Sequence, residues 1–189
     1  MGKPKMNFND FKEKNKQQEE KNHQNNKNNG NRSHKNNDEK KSKISEIMEG
    51  IKQTGYRNEA KTVLRKELVS TEAENIAKEL KKEKLSKSQL RSFFNEINKL
   101  KSKYIEGTEE EEQEKLENLG IELLILKSKL EYKKGKSGND KLPENFYIFM
   151  KESIDYIVEN DKKIYFKDFK IFFETVVGYT YGLGGVNNR

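Results

Sequence analysis

Between Leu85 and Tyr104 the chain reads LSKSQLRSFFNEINKLKSKY, and this stretch dictates a helix with two working faces. Ser86 is a favourable N-cap and Gln89, three residues on, completes a capping box, so the helix starts at Lys87. Leu90, Phe93, Phe94, Ile97, Leu100 and Tyr104 recur at spacings of three and four, which at roughly 100° per residue places them on one face. On the same wheel Lys87, Arg91, Asn95, Asn98 and Ser102 form a polar stripe beside the apolar one, not opposite it. A helix of this kind packs into a core and still holds cations at the core's rim.

Other apolar clusters carry the same period. Ile44, Ile47, Met48 and Ile51 predict a short helix before Gly55, and Val63, Leu64 and Leu68 a second helical piece. Thr71 with Glu74 reads as another capping box, followed by Ala73, Ile76, Ala77 and Leu80. IEGTEEEEQEKLE is an acidic linker or the polar start of the next helix, where Glu suits the dipole. Leu116 to Leu130 contains IELLILKSKL and is expected to be the most buried helix. Pro143 suits the first position of a helix through Phe146, Phe149, Met150, Ile154, Ile157 and Val158, with Asn160 and Asp161 as its stop. A last helix is expected from Tyr165 or Phe166 through Phe169, Phe172, Phe173, Val176 and Val177 to Gly178 or beyond. No alternating strand and no fixed-period repeat is visible. The expected fold is all-α, a compact bundle of about five helices with a disordered N-terminal tail.

Composition assigns the tail. Apolar residues are 31% and charged residues 38% of the 189, against roughly 45–50% and 25% in ordinary domains, so part of the chain is expected not to fold. Residues 1–42 are rich in Asn, Lys, Gln and Glu and bury too little to offset chain entropy; they read as a disordered low-complexity tail. Residues 43–70 read as a helical N-terminal extension and 71–189 as the bundle domain. Of 39 basic and 32 acidic residues, twelve and six lie in residues 1–43, leaving 27 and 26. Residues 1–43 thus carry +6 of the net +7 and the remainder +1, so any nucleic-acid contact by the folded part must rest on local patches.

The same inventory narrows the chemistry. Cysteine is absent, which removes disulfides, thiolate metal sites and Cys nucleophiles, and both histidines, His23 and His34, lie in the tail. There is no glycine-rich phosphate loop after a strand and no nucleophile elbow. The acidic run lacks the preorganised geometry of a metal site, and Asp155, Asp161 and Asp168, formally open to carboxylate-only metal chemistry, read better as ordinary helical surface acids. No enzyme, catalytic residue, metal, cofactor or small-molecule substrate is expected. No apolar run reaches the roughly 18 residues of a membrane span, no apolar signal segment opens the chain, and Met6 spoils the myristoylation pattern begun by Gly2. A cytoplasmic protein without membrane contact is expected.

Two cationic features stand above background. Lys87 and Arg91 lie one turn apart on the stripe described above. From Lys127 to Lys141 six lysines face only Glu131 and Asp140, a local net of +4 that includes Lys127, Lys129, Lys133, Lys134 and Lys136. Lysines at a helix C-terminus also answer the dipole, which accounts for some of them. The phenylalanines sit at core spacing, whereas Tyr132, Tyr179 and Tyr181 lie at helix ends or beside glycines, where they pack or stack on bases. Cations without a base-reading constellation suit sequence-independent backbone contacts.

SKSQLRSFFNEINKL, LLILKSKLEYKKGK and FKDFKIFFETVVGYTYGLGG, in this order, resemble the small subunit of type III-A CRISPR effector complexes over about residues 71 to 185. The resemblance implies a noncatalytic helical protein of antiviral defence, present in several copies inside a ribonucleoprotein. It implies contact with guide RNA and target RNA, with other copies of itself, and with the backbone and large polymerase-like subunits. It assigns RNA contact to Gln89 and Arg91 in the first block and to Lys127, Lys129, Tyr132 and Lys136 in the second. At Lys136 a lysine replaces the family's usual Arg, which keeps the charge and loses bidentate geometry. In the third block Thr180 and Tyr181 stand where the family tends to have a His and a basic residue, so that end is expected to serve subunit packing. The competing expectation is an architectural helical adaptor that binds protein without touching RNA.

Overall fold

The computed structural model describes residues 41–83, 85–105 and 112–186. The tail and most of the acidic run lie outside them. Six α-helices form among the described residues: α1 (Lys43–Thr54), α2 (Ala73–Lys82), α3 (Lys87–Tyr104), α4 (Glu112–Lys134), α5 (Glu144–Val158) and α6 (Lys162–Gly182). The only strand-like pairing among these residues is an isolated bridge between Arg57 and Leu64. Five helices from α2 onward make the expected bundle, and α1 packs on α5 and α2.

The Ser86 capping box forms as its sequence predicts. The Gln89 N–H donates to Ser86 Oγ at 3.1 Å, and the Ser86 N–H donates to Gln89 Oε1 at 3.2 Å. Leu90, Phe93, Ile97 and Leu100 are buried, with Phe94 and Tyr104 packed at the edge.

Elsewhere the local signals were overridden. No helix forms at Val63 and Leu64: the chain leaves α1 at Gly55 (φ 77°) and doubles back as a strap. Asn58 Oδ1 accepts the N–H of Thr62 at 2.9 Å, and Lys61 adopts a left-handed φ of 54°, a turn geometry that a helix cannot contain. Val63 points outward, 60% exposed. The Thr71 capping box is also absent, because one wide π-helical turn, Leu68–Glu72, runs directly into α2 and leaves Thr71 inside helical backbone. Pro143 sits at the N-cap, one residue before α5, whose Asn145 N–H is accepted by Glu83 Oε2 at 2.8 Å. Asn160 and Asp161 follow the end of α5 as expected, and Asp161 also caps α6: its Oδ1 accepts the Ile164 N–H at 3.0 Å, so that helix begins at Lys162.

The largest correction concerns α4. Leu119, Leu123, Leu126 and Leu130 are buried at helical spacing, but Ile121, Leu124 and Ile125 are 55%, 49% and 46% exposed. Apolar residues on both sides of a helix signal burial only if neighbours cover both sides, and here α3, α5 and α6 occupy one. The buried centre is α6, which packs against α2, α3, α4 and α5. Its Phe166, Phe169, Phe172, Phe173 and Val176 are fully buried. Phe169 and Phe173 stack with centroids 5.7 Å apart, and Phe149 meets Phe172 edge-on at 5.6 Å.

A second aromatic group pins the strap. Tyr56, fully buried, packs on Tyr156 (5.0 Å), Phe172 (5.9 Å) and Tyr165 (6.0 Å). Burial pushes the Tyr56 phenol strongly upward, and it pushes Tyr147 and Tyr156 up to about 12, the former aided by its bond to Glu131. A phenol whose folded pKa exceeds its unfolded value, about 10, contributes stability that is present below pH 10 and lost as pH rises through 12. Titration followed by ultraviolet difference absorbance is expected to show three of the eight phenols ionising only near or above pH 12, together with loss of helical dichroism. Their earlier ionisation in an intact fold would contradict the packing.

Candidate nucleic-acid interface

Space redistributes the cationic run. Lys127 reaches Asp155 on α5 at 2.5 Å, and Lys129 reaches Glu96 on α3 at 3.6 Å. Lys134 reaches Glu144 at 2.9 Å and lies 4.0 Å from the centre of the Tyr147 ring. Lys136 stands 3.7 Å from Asp140 and 5.1 Å from the Tyr132 ring centre. The net of +4 counted along the chain is thus largely answered by acids brought in from other elements. Lys133, over the Phe93 ring at 5.2 Å, and Lys141 have no carboxylate partner among the described residues.

Lys133, Lys136 and Lys141 line a cleft of about 780 Å³ between the 135–143 loop and the start of α3. Ser86, Ser88 and Gln89 form its other wall. A helix N-terminus with lysines opposite attracts anions, but Glu83, Asp140 and Glu144 also line this cleft and balance its charge. Gln89 is not free to bind there: its Nε2 donates to the Lys141 carbonyl at 3.2 Å, tying the loop to α3.

Arg91 faces elsewhere. Gln89 and Arg91, two residues apart in the first block, lie on opposite flanks of α3, and Arg91 borders a separate cleft of about 220 Å³ formed with Leu90, Phe94, Val177 and Tyr181. Tyr132 is exposed at the end of α4. The predicted residues therefore do not converge on one site; Gln89, Lys133 and Lys136 come together, and Lys127 is turned to α5.

What does converge is the outer stripe of α3. Lys87 and Arg91 carry no ion pair among the described residues, and an open groove of about 390 Å³ continues the stripe past Asn95, Asn98, Lys99 and Ser102. Among the described residues, none that lines that groove is a carboxylate. From Lys87 to Ser102 the stripe runs about 22 Å at 1.5 Å per residue. Lys99 went unassigned from sequence although it sits four residues after Asn95 on the same face; the helical wheel contained that signal. Lys141 was counted as charge only, since nothing in a loop sequence tells where its side chain goes.

Asp155, Asp161 and Asp168 are each engaged by protein groups. Asp155 is partly buried, which raises its carboxyl, but hydrogen bonds from Lys127 and Lys151 outweigh this and hold it below the ordinary range. Asp168 pairs with Arg57, and Asp161 caps α6. Among the described residues no three His, Cys, Asp or Glu side chains group as metal ligands, and no helix is long and apolar enough to cross a membrane.

Fold and surface together define a small all-α scaffold with a cationic and amide face, free of carboxylates among the described residues. A family model described as Csm2 Type III-A matches residues 63–182, beginning in the strap, ahead of the three sequence blocks that carry the resemblance. The chain belongs to that family, the small subunits of the type III-A CRISPR complex, which are structural, noncatalytic members of an effector with other subunits. No curated protein and no solved structure matches it.

Proposed function

We propose that this protein is a noncatalytic RNA-binding small subunit that lines the guide RNA and target RNA channel of the type III-A ribonucleoprotein. The observation that carries the reading is the α3 stripe: Lys87, Arg91 and Lys99 without acidic neighbours in its groove, interleaved with Asn95, Asn98 and Ser102. Cations spaced by amide and hydroxyl donors, with no base-reading pair, suit phosphate contacts that set affinity and register. Lys133 and Lys141, without a carboxylate partner among the described residues, add cations beyond the N-terminus of α3 in a cleft whose charge is balanced overall; Lys127, Lys129, Lys134 and Lys136 contribute through packing, since carboxylates already hold them. Cleavage of RNA falls to other subunits, and the protein works in the cytoplasm among further copies of itself and the backbone and large subunits.

A second reading is favoured by the exposed stripe of Ile121, Leu124 and Ile125 on α4: an architectural adaptor that binds protein alone. One experiment separates them. Lys87→Glu with Arg91→Glu is expected to leave the dichroism helical while weakening binding of single-stranded RNA about 10-fold or more, with a salt slope smaller by about one for each phosphate no longer neutralised. Unchanged affinity and slope would remove the stripe from the interface. Failure of the unmodified protein to retain RNA at moderate salt would leave the adaptor.

A further inference from the structure

We infer that the cleft between α3 and α6 is a slot for one unstacked nucleobase, held between Arg91 and Tyr181. The inference rests on the RNA-binding reading above and adds to it a second mode of contact, directed at a base and not at phosphate.

The slot has the build that stacking requires. Leu90, Phe94 and Val177 give it an apolar floor, and its volume of about 220 Å³ suits a single planar ring system and excludes a duplex. Tyr181 projects from the last turn of α6, 39% exposed, and Arg91 from the first turns of α3. Neither its phenol nor the guanidinium has a hydrogen-bond partner among the described residues. Both groups present flat π faces, the surfaces on which bases stack in sequence-tolerant single-strand binding.

Two further points choose a base over an apolar side chain of a partner. Arg91 belongs at once to the slot and to the acid-free stripe, so a strand whose phosphates follow Lys87 and Arg91 passes the slot's mouth. Among the described residues, none that lines the slot is a carboxylate to oppose the phosphates on either side of an inserted base. Among the described residues, Arg91 and the Tyr181 hydroxyl alone give it hydrogen-bonding side chains, so the base is taken without regard to identity, purines above pyrimidines by stacking area. The proposal departs from the expectation that this end of the chain serves subunit packing: Tyr181 takes RNA through its ring where a basic residue would take it through charge.

The test uses the full chain and short single-stranded RNA in which 2-aminopurine is placed at successive positions. Quenching of its fluorescence on binding to the unmodified protein is expected, and Tyr181→Ala is expected to abolish the quenching and weaken affinity about 5- to 100-fold. Tyr181→Phe should retain both. The salt slope should stay unchanged in Tyr181→Ala, and the same variant should bind an abasic oligonucleotide as tightly as the unmodified protein does. Absence of quenching at every position in the unmodified protein overturns the slot whatever the variants do. Equal weakening toward abasic and base-containing RNA also overturns it. If Tyr181→Ala binds RNA normally while the Lys87 and Arg91 reversals do not, the slot fails and the phosphate stripe stands. If the unmodified protein binds no RNA, both fail.

Discussion

Arg57→Ala is expected to destabilise the isolated protein by about 3–5 kcal/mol, seen as a fall of roughly 10 °C in the thermal midpoint. Arg57 Nε donates to Asp168 Oδ2 at 2.6 Å and Nη2 to Oδ1 at 3.0 Å, a two-pronged pair across the strap and α6. The Asp168 side chain is only 5% exposed, so removing the guanidinium strands a carboxylate inside the fold. The strap also loses its own closure, because Arg57 Nη1 donates to the Lys61 carbonyl at 3.2 Å. Asp168→Ala is expected to cost less, since the arginine left behind is 24% exposed and reaches water. The double variant Arg57→Leu with Asp168→Leu should recover most of the stability, because buried pairs contribute little net over apolar replacements. A double variant that costs as much in chemical denaturation as the two single substitutions summed would show that the pair is not coupled.

That pair marks where the sequence stopped being readable. Arg57 and Asp168 are 111 residues apart and neither carries a local signal of the other. The same holds for the lysine run, whose density along the chain was real and whose net charge in space was not: Asp155 and Glu96 arrive from other helices. Features settled within one turn, such as the Ser86 capping box and the 3–4 spacing of α3 and α6, were legible because helical geometry alone determines them. Thr71 shows the limit even there, since a cap forms only where the preceding chain leaves the helix's first N–H groups open. The stripe of α3 was legible as a stripe; that its continuation is free of acids depended on where Glu96 turns, toward Lys129 on α4.

Phe173→Ala is expected to cost about 3–5 kcal/mol, a large part of the roughly 5–15 kcal/mol that holds a domain of this kind together. Its ring is fully buried and stands within 5.7–6.5 Å of Phe169, Phe149, Phe94 and Phe146, so one deletion opens a cavity shared by α3, α5 and α6. Phe173→Leu, which keeps part of the volume, should fall between. The informative control is Ile125→Ala on the outer side of α4, expected to change stability by no more than about 0.5 kcal/mol despite lying in the most apolar run of the sequence. Similar costs at Phe173 and Ile125 would mean that α4 is covered on both sides and that its exposed stripe does not exist. The predicted contrast has a functional side as well. Phe94 forms the floor of the slot beside Arg91 and leans on Phe173, so Phe173→Ala should weaken RNA binding at temperatures where its helical dichroism is still intact, whereas Ile125→Ala should not.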